Sequence, residues 1–246
     1  MKKTIIRLAE VDSTNDYLRT FRPEDETDDS LLVVMANHQT HGRGQGTNTW
    51  ESEPGKNLLM SIRVHLRYVP VRSQFFLSMA GGLAVKDAVS SYVEKDVTLK
   101  WPNDVYVGDR KLSGTLIETT VAQHQLKGCV FGVGINVNQT VFRSDAPNPV
   151  SLCQLLGREV DREELAQKVV EAFERYCQML RNCAYGDVSA LYHLALYRRK
   201  GFHPYRDADG EFEGELVEVE DDGHLILHDR EGRIRSYAFK EVTYII

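Results

Sequence analysis

The sequence predicts an α/β protein with a small all-β unit at its C-terminal end. Three observations lead there. Strand-like and helix-like apolar patterns alternate through Tyr197. From Gly201 onward only short alternating strands with glycine-containing turns remain. The length, 246 residues, suits one medium domain with an appendage.

Taken in order, residues 4–8 (TIIRL) and 31–36 (LLVVMA) read as short buried strands. Between them, Asp12, Ser13 and Thr14 each carry an oxygen that can accept from a free first-turn N–H, so one of them caps a short helix. The polar, acidic stretch 22–30 reads as a surface loop, and 57–66 as a strand. Residues 73–93 place Phe76, Met79, Ala80, Leu83 and Val89 at helical spacing. Gly81 and Gly82 within that helix each cost about 1 kcal/mol against alanine, which close packing on a sheet would offset. VTLKW, VYV, LSGTLIE and CVFGVGINV are four more strands, with Gly108-Asp109 as a hairpin turn. Residues 161–181 form an amphipathic helix whose acidic first turn suits the helix dipole, and a second helix runs from Asp187 to Tyr197. LVEVE, HLILHD and RIRSYAF are strands joined at Asp222-Gly223 and Glu231-Gly232. An all-β unit of roughly 45 residues is near the lower limit for independent stability, so it should dock on the main body. We divide the chain into domains 1–198 and 199–246.

Hydrophobic residues make up 42% of the chain and charged residues 27%, the composition of a folded globular protein. The net charge is −6, and no dense basic cluster exists beyond Arg198-Arg199-Lys200, which we read as solvating a helix end. This argues against nucleic acid as a partner. Cys129, Cys153, Cys177 and Cys183 form no C-x-x-C pair, so their spacing suggests neither a disulfide framework nor a zinc site. Arg7 and Glu10 interrupt the N-terminal stretch as a signal peptide, and no run approaches the roughly 18 apolar residues of a membrane span. A cytoplasmic location without membrane partners is expected.

Three segments carry chemistry. In the first, Gln39-Thr40-His41-Gly42-Arg43-Gly44-Gln45-Gly46 and then Trp50, the glycines let backbone N–H groups approach a ligand, and Arg43 offers a forked cation for phosphate or carboxylate. Without a closing G-K-[ST] or a third glycine at 47, it fits neither common nucleotide fingerprint, and alone it reads as a turn. In the second, Lys100-Trp101-Pro102-Asn103-Asp104 is followed by Lys111-Leu112-Ser113-Gly114. Two lysines, an amide and a carboxylate would converge if the Gly108-Asp109 hairpin forms, although a surface hairpin with one ion pair is the simpler alternative. In the third, Gly132-Val133-Gly134-Ile135-Asn136-Val137-Asn138, the glycines mark close approach by a ligand or another backbone. His38 and His41 lack the further ligands a metal pair needs and are read as loop packing.

Together, and with Ser13-Thr14-Asn15, these segments resemble biotin protein ligases in their family order over essentially the whole chain. KWPND followed by K-L-S-G is the most discriminating element. The resemblance implies a mixed-sheet α/β catalytic domain followed by an SH3-like β-barrel. It implies a biotin–[biotin carboxyl-carrier protein] ligase that joins biotin to ATP, with Mg²⁺, as biotinyl-5′-AMP. The biotinyl group then passes to a lysine on a biotin carboxyl carrier domain of acetyl-CoA or pyruvate carboxylase.

By the same resemblance, Ser13, Thr14, Asn15, Gln39 and Gly114 line the biotin end, and the loop of Gly42, Arg43, Gly44 and Gln45 closes over it. Arg43 and Lys111 contact carboxylate and phosphate. Trp50 and Asn136 lie near the adenine. Lys100, Asn103 and Asp104 attend the phosphates, with Asp104 as the candidate Mg²⁺ ligand. Lys111, Arg43 and Asp104 are the expected catalytic residues. Many relatives carry a second arginine where Gln45 stands, and some a basic residue where Asn48 stands, so here Arg43 and Lys111 would carry more of the phosphate charge. Because DSTN begins at Asp12, a monofunctional ligase without a DNA-binding domain is expected. Relatives are monomers or dimers, leaving homo-oligomerisation open. Two alternatives stand: a lipoate or octanoate ligase or transferase of the same fold, and a non-catalytic biotin-binding regulator.

Overall fold

A computed structural model describes residues 1–144 and 148–246. Its main body is a seven-stranded sheet. In spatial order the strands are β1 (Lys2–Val11), β2 (Ser30–Gln39), β3 (Leu58–Val64), β7 (Gln125–Ile135), β6 (Arg110–Ala122), β5 (Asp104–Val107) and β4 (Val97–Lys100). β1 runs parallel to β2 and every other neighbour pair is antiparallel, so the sheet is mixed. The predicted hairpin forms at Gly108-Asp109, where Val107 pairs with Arg110.

One strand expectation changes and one loop expectation gains detail. TIIRL is not buried: β1 is the sheet's edge strand, Ile5 is 44% exposed, and its parallel pairing leaves the outer side without a neighbour. The 22–30 stretch is a loop, but an anchored one. Glu26 pairs with the buried Arg63 of β3, whose guanidinium also donates to the carbonyls of Leu18 and Phe21.

The helices divide between the faces of the sheet. α1 (Thr14–Thr20), capped by Ser13, lies on one face over Leu32, Val34 and Val130. On the other face lie α2 (Phe75–Ser90), α4 (Arg162–Arg181, capped by Asp161) and α5 (Tyr185–Ala195), with the short α3 (Leu152–Leu156) leading into them. Successive strand residues point to opposite faces, and β7 uses this. Phe131 fills the space a Cβ on Gly81 of α2 would need, whereas Gly132 leaves room for Asn15 of α1. Gly81 thus has the packing role expected of the glycine pair, whereas a Cβ on Gly82 would meet Leu99 only at ordinary contact distance.

The C-terminal unit is a five-stranded antiparallel sheet, with β8 (His203–Asp207), β9 (Gly210–Val219), β10 (Leu225–Asp229), β11 (Ile234–Tyr237) and β12 (Thr243–Tyr244) in the order β11-β10-β9-β8-β12. It is of the small β kind the resemblance implies, with no ladder between its end strands β11 and β12. β8 and β12, absent from the sequence reading, complete it. The unit docks as expected: Leu225, Leu227, Tyr205 and Val242 belong to the same core as the main sheet. Trp101 Nε1 donates to Gly223 O at 2.9 Å, and Val219 N donates to His193 Nε2 at 2.9 Å. Arg198 does not merely solvate a helix end. Its guanidinium donates to Pro204 O (3.1 Å) and Ile245 O (2.7 Å), tying the junction between the two sheets. Among the described residues no helix is long and apolar enough to cross a membrane.

Candidate active site

The cavity that the sequence segments point to lies on the α1 face, between the main sheet and the C-terminal sheet. It holds about 350 Å³, enough for a small organic ligand. Its floor is made by glycines. The Trp50 indole sits where a side chain on Gly134 would be, and a Cβ on Gly114 would come within 3.0 Å of it. Gly132 likewise seats Asn15. The G-x-G of β7 and the glycine of K-L-S-G therefore serve one purpose, close approach of side chains above the sheet.

One end of the cavity is a hydrogen-bond chain. Ser13 caps α1, accepting from Asp16 N. Thr14 donates to Gln39 Oε1 from both its backbone N (2.8 Å) and Oγ1 (2.9 Å). Ser61 Oγ of β3 lies 2.7 Å from Thr14 Oγ1 and 2.6 Å from Asn15 Oδ1. Asn15 Nδ2 donates to Glu118 Oε2 at 2.8 Å. These buried polar groups fix one another's rotamers, a preformed set of donors and acceptors.

The glycine loop is a tight hairpin. Gly44 N donates to Asn48 O and Trp50 N to Gly42 O, and Arg43 bridges to Thr49. Gly42 packs against the Trp50 carbonyl, which a Cβ would approach to 2.5 Å. Arg43 is held by two carboxylates, donating to Asp16 Oδ1 at 2.8 Å and Glu118 Oε1 at 3.1 Å. Two buried atoms here lack a protein partner, Gln45 Oε1 and Trp50 Nε1. Buried polar groups are almost always satisfied, so an acceptor and a donor are available to a ligand.

The other end comes from the proline segment, in which the Trp101-Pro102 peptide is cis. Asn103 and Thr115 are tied by three mutual hydrogen bonds: Thr115 N and Oγ1 donate to Asn103 O, and Asn103 Nδ2 donates to Thr115 O. A bulge then matters. Asp104 faces Gly114 and Val105 faces Ser113, but Tyr106 faces Lys111. The extra residue shifts the alternation, so Leu112 enters the core and Lys111 turns to the face carrying Asp104, 2.7 Å away. Lys100 Nζ lies over the Tyr244 ring at 4.6 Å and the Tyr106 ring at 5.4 Å. Burial pushes its ammonium below the ordinary lysine pKa, against the pull of Asp104.

Of the residues singled out in the sequence, Ser13, Thr14, Asn15, Gln39, Arg43, Gly44, Gln45, Trp50, Lys100, Asn103, Asp104, Lys111 and Gly114 line this one cavity. Gly42 and Asn136 do not. Asn136 lies behind the wall, 4% exposed, with Nδ2 donating to Val150 O, so the expectation of an adenine contact is corrected to a structural tie. Asp16, Ser61 and Glu118 were missed, being ordinary polar residues in unremarked positions. Phe239, Lys240, Val242, Thr243 and Tyr244, which wall the cavity from the C-terminal unit, were missed too. His38 and His41 stand outside it, paired with Glu10 and with Asp12 and Thr40.

This fold and site define a class: the chain belongs to the biotin/lipoate A/B protein ligase family, whose model matches residues 8–136. It is 35% identical to the biotin–[acetyl-CoA-carboxylase] ligase of Mycobacterium tuberculosis over 178 residues, which cover 71% of this chain and 64% of that protein. It is 26% identical to the bifunctional ligase/repressor BirA of Bacillus subtilis over 211 residues, 84% of this chain and 64% of that one. The chain thus spans just under two thirds of these curated relatives. It is similar over 97% of both chains to the biotin protein ligase of Aquifex aeolicus solved with biotin and ATP, with a TM-score of 0.78 and 25% identity.

Proposed function

We propose that this chain is an ATP-dependent biotin protein ligase. It joins biotin to AMP and passes the biotinyl group to a lysine of a biotin carboxyl carrier domain. The carrying observation is that Arg43 and Lys111, from distant segments, line one cavity that also holds a preformed polar network of donors and acceptors. The likeness to a biotin protein ligase solved with biotin and ATP supports the choice of substrates.

In this reading biotin's polar ring system lies against Ser13, Thr14, Asn15 and Gln39, its carboxylate points toward Lys111, and the Trp50 indole lies near the adenine. That carboxylate attacks the α-phosphorus of ATP. A carboxyl O–P bond forms, the bond to pyrophosphate breaks, and biotinyl-5′-AMP results. Two anions meet in this step, so the cations must offset charge where it concentrates. Lys111 and Arg43 do so, each trading its carboxylate partner for phosphate oxygen. Asp104, the one carboxylate lining the cavity among the described residues, would hold Mg²⁺ brought in with the ATP phosphates, an ion that takes one or two carboxylates besides phosphate and would offset the phosphate charge. The 42–50 hairpin shields the mixed anhydride from water. In the second step a neutral acceptor amine attacks the acyl carbon and AMP leaves.

The test is to mix the protein with biotin, MgATP and an isolated carrier domain and to look for the mass of one biotinyl group on the carrier lysine. Because the matching family model includes lipoate ligases, ATP–pyrophosphate exchange is measured with biotin and with lipoate. Exchange with lipoate alone would reassign the substrate.

A further inference from the structure

Four cations line the cavity, and three are already engaged. Arg43 is bound by Asp16 and Glu118, Lys111 by Asp104, and Lys100 is enclosed by two tyrosine rings. The fourth is Lys240, from the turn between β11 and β12. Among the described residues no carboxylate lies within ion-pair distance of its ammonium. Its stem reaches back over the main domain, so that a Cβ on Gly46, at the tip of the 42–50 hairpin, would come within 2.6 Å of Lys240 Nζ. The backbone that aims it is held in an uncommon conformation. Lys240 has φ +73°, in the left-handed region, and the turn is closed by Glu241 N donating to Ala238 O and by Ala238 N donating to the Glu241 carboxylate. A non-glycine residue kept there costs of order 1 kcal/mol, and the contact across the cavity is what the conformation accomplishes.

We propose that Lys240 is a substrate-contacting residue of the adenylation site, binding the pyrophosphate half of ATP. The inference rests on the ligase reading above. Position selects the half. Lys111 and Asp104 lie deep, 22% and 14% exposed, where the acyl phosphate forms. Lys240 is exposed at the rim, where the departing pyrophosphate meets solvent. Charge balance selects the residue. An incoming polyphosphate must displace a carboxylate from Arg43 or Lys111, whereas Lys240 can bind it with no such exchange. In contacting both the hairpin tip and the nucleotide, Lys240 also couples the C-terminal sheet to loop closure.

The test compares MgATP with AMP, which lacks the pyrophosphate half, by calorimetric titration of the full chain. The alcohol analogue of biotin is present, since without a carboxylate it cannot react. Lys240→Met keeps the stem and removes the charge. It should weaken MgATP binding about tenfold, the scale of one charge-assisted contact, and leave AMP within about twofold, and Lys240→Arg should restore MgATP. Equal weakening of both nucleotides would mean a structural role only, and no change in either would remove Lys240 from the site. If the unaltered chain binds neither nucleotide, the ligase reading and this inference fall together. If it binds MgATP and the variants match it, only this inference falls.

Discussion

Lys111 stands 2.7 Å from Asp104 because a bulge on β6 turns it onto the cavity face. Regular alternation would have set Leu112 there and sent the lysine toward the core. The pair is mostly buried, so its charges are less screened than those of a surface bridge. In the proposed reaction the ammonium is thereby stored beside the point where negative charge accumulates. Replacing Lys111 with Ala should slow biotin-dependent ATP–pyrophosphate exchange by roughly 10²–10³-fold, as for the loss of one preorganised electrostatic stabiliser. Unchanged exchange in that variant would show that the phosphate lies elsewhere.

Asp16 holds Arg43 from an exposed position on α1, and the pair's direct worth to stability should stay below about 1 kcal/mol. Its proposed effect is to compete with the nucleotide for the guanidinium. Asp16→Asn is therefore expected to lower the KM for ATP about two- to fivefold, the same energy read as affinity, with the melting temperature nearly unchanged. A raised KM would mean that Asp16 positions Arg43 for catalysis.

Neighbouring glycines of α2 should respond oppositely to alanine. A Cβ on Gly82 would sit 3.5 Å from Leu99, an ordinary contact, so Gly82→Ala should stabilise by up to about 1 kcal/mol through helix propensity. A Cβ on Gly81 would collide with the Phe131 ring, and Gly81→Ala should destabilise by about 1–3 kcal/mol through overpacking. Urea unfolding of the two variants checks both signs at once.

Glu26 and Arg63 form a second buried pair, which pins the end of α1 to β3. Glu26→Ala leaves the guanidinium buried without its counter-charge and should cost about 3–5 kcal/mol, read from the urea midpoint. Burial alone would raise the Glu26 pKa, but the hydrogen bonds from Arg63 and His65 outweigh it and the carboxyl sits below the ordinary glutamate value. Its folded pKa being the lower, the unfolded chain binds the extra proton. The contribution is thus complete above the unfolded value of about 4.3 and is lost as pH falls through the folded one. The acid limb of a stability–pH curve should be shallower in Glu26→Gln than in the parent chain, and parallel curves would refute the linkage.

Gly134→Ala should push the Trp50 indole off its seat on the cavity floor. A shift in tryptophan emission together with a raised KM for ATP is the expected pair of readouts. An unaltered spectrum would mean that the floor can yield.

The order of elements was legible in the residues because its signals are local. The acidic first turn of the 161–181 helix, the helical period of 73–93 and the Gly108-Asp109 turn each depend on a few neighbouring side chains and backbone angles, and each recurs in the structure. The three chemical segments were legible for a similar reason: glycines, a proline and charged groups at fixed spacing narrow what a short stretch can do. Tertiary structure decided the rest. Burial of β1 failed as an expectation because exposure depends on a strand's place in the sheet, which its own alternation does not encode. Asn136 carries the right chemistry for a ligand, yet the approach of Val150 claims its amide. Glu118 meets Arg43, and Lys240 meets Gly46, only once seven strands are in register and a second sheet has docked. Sequence determined which groups were available. Long-range pairing, a bulge and the packing of two sheets set their directions, since side-chain aim follows from backbone register across residues far apart in the chain.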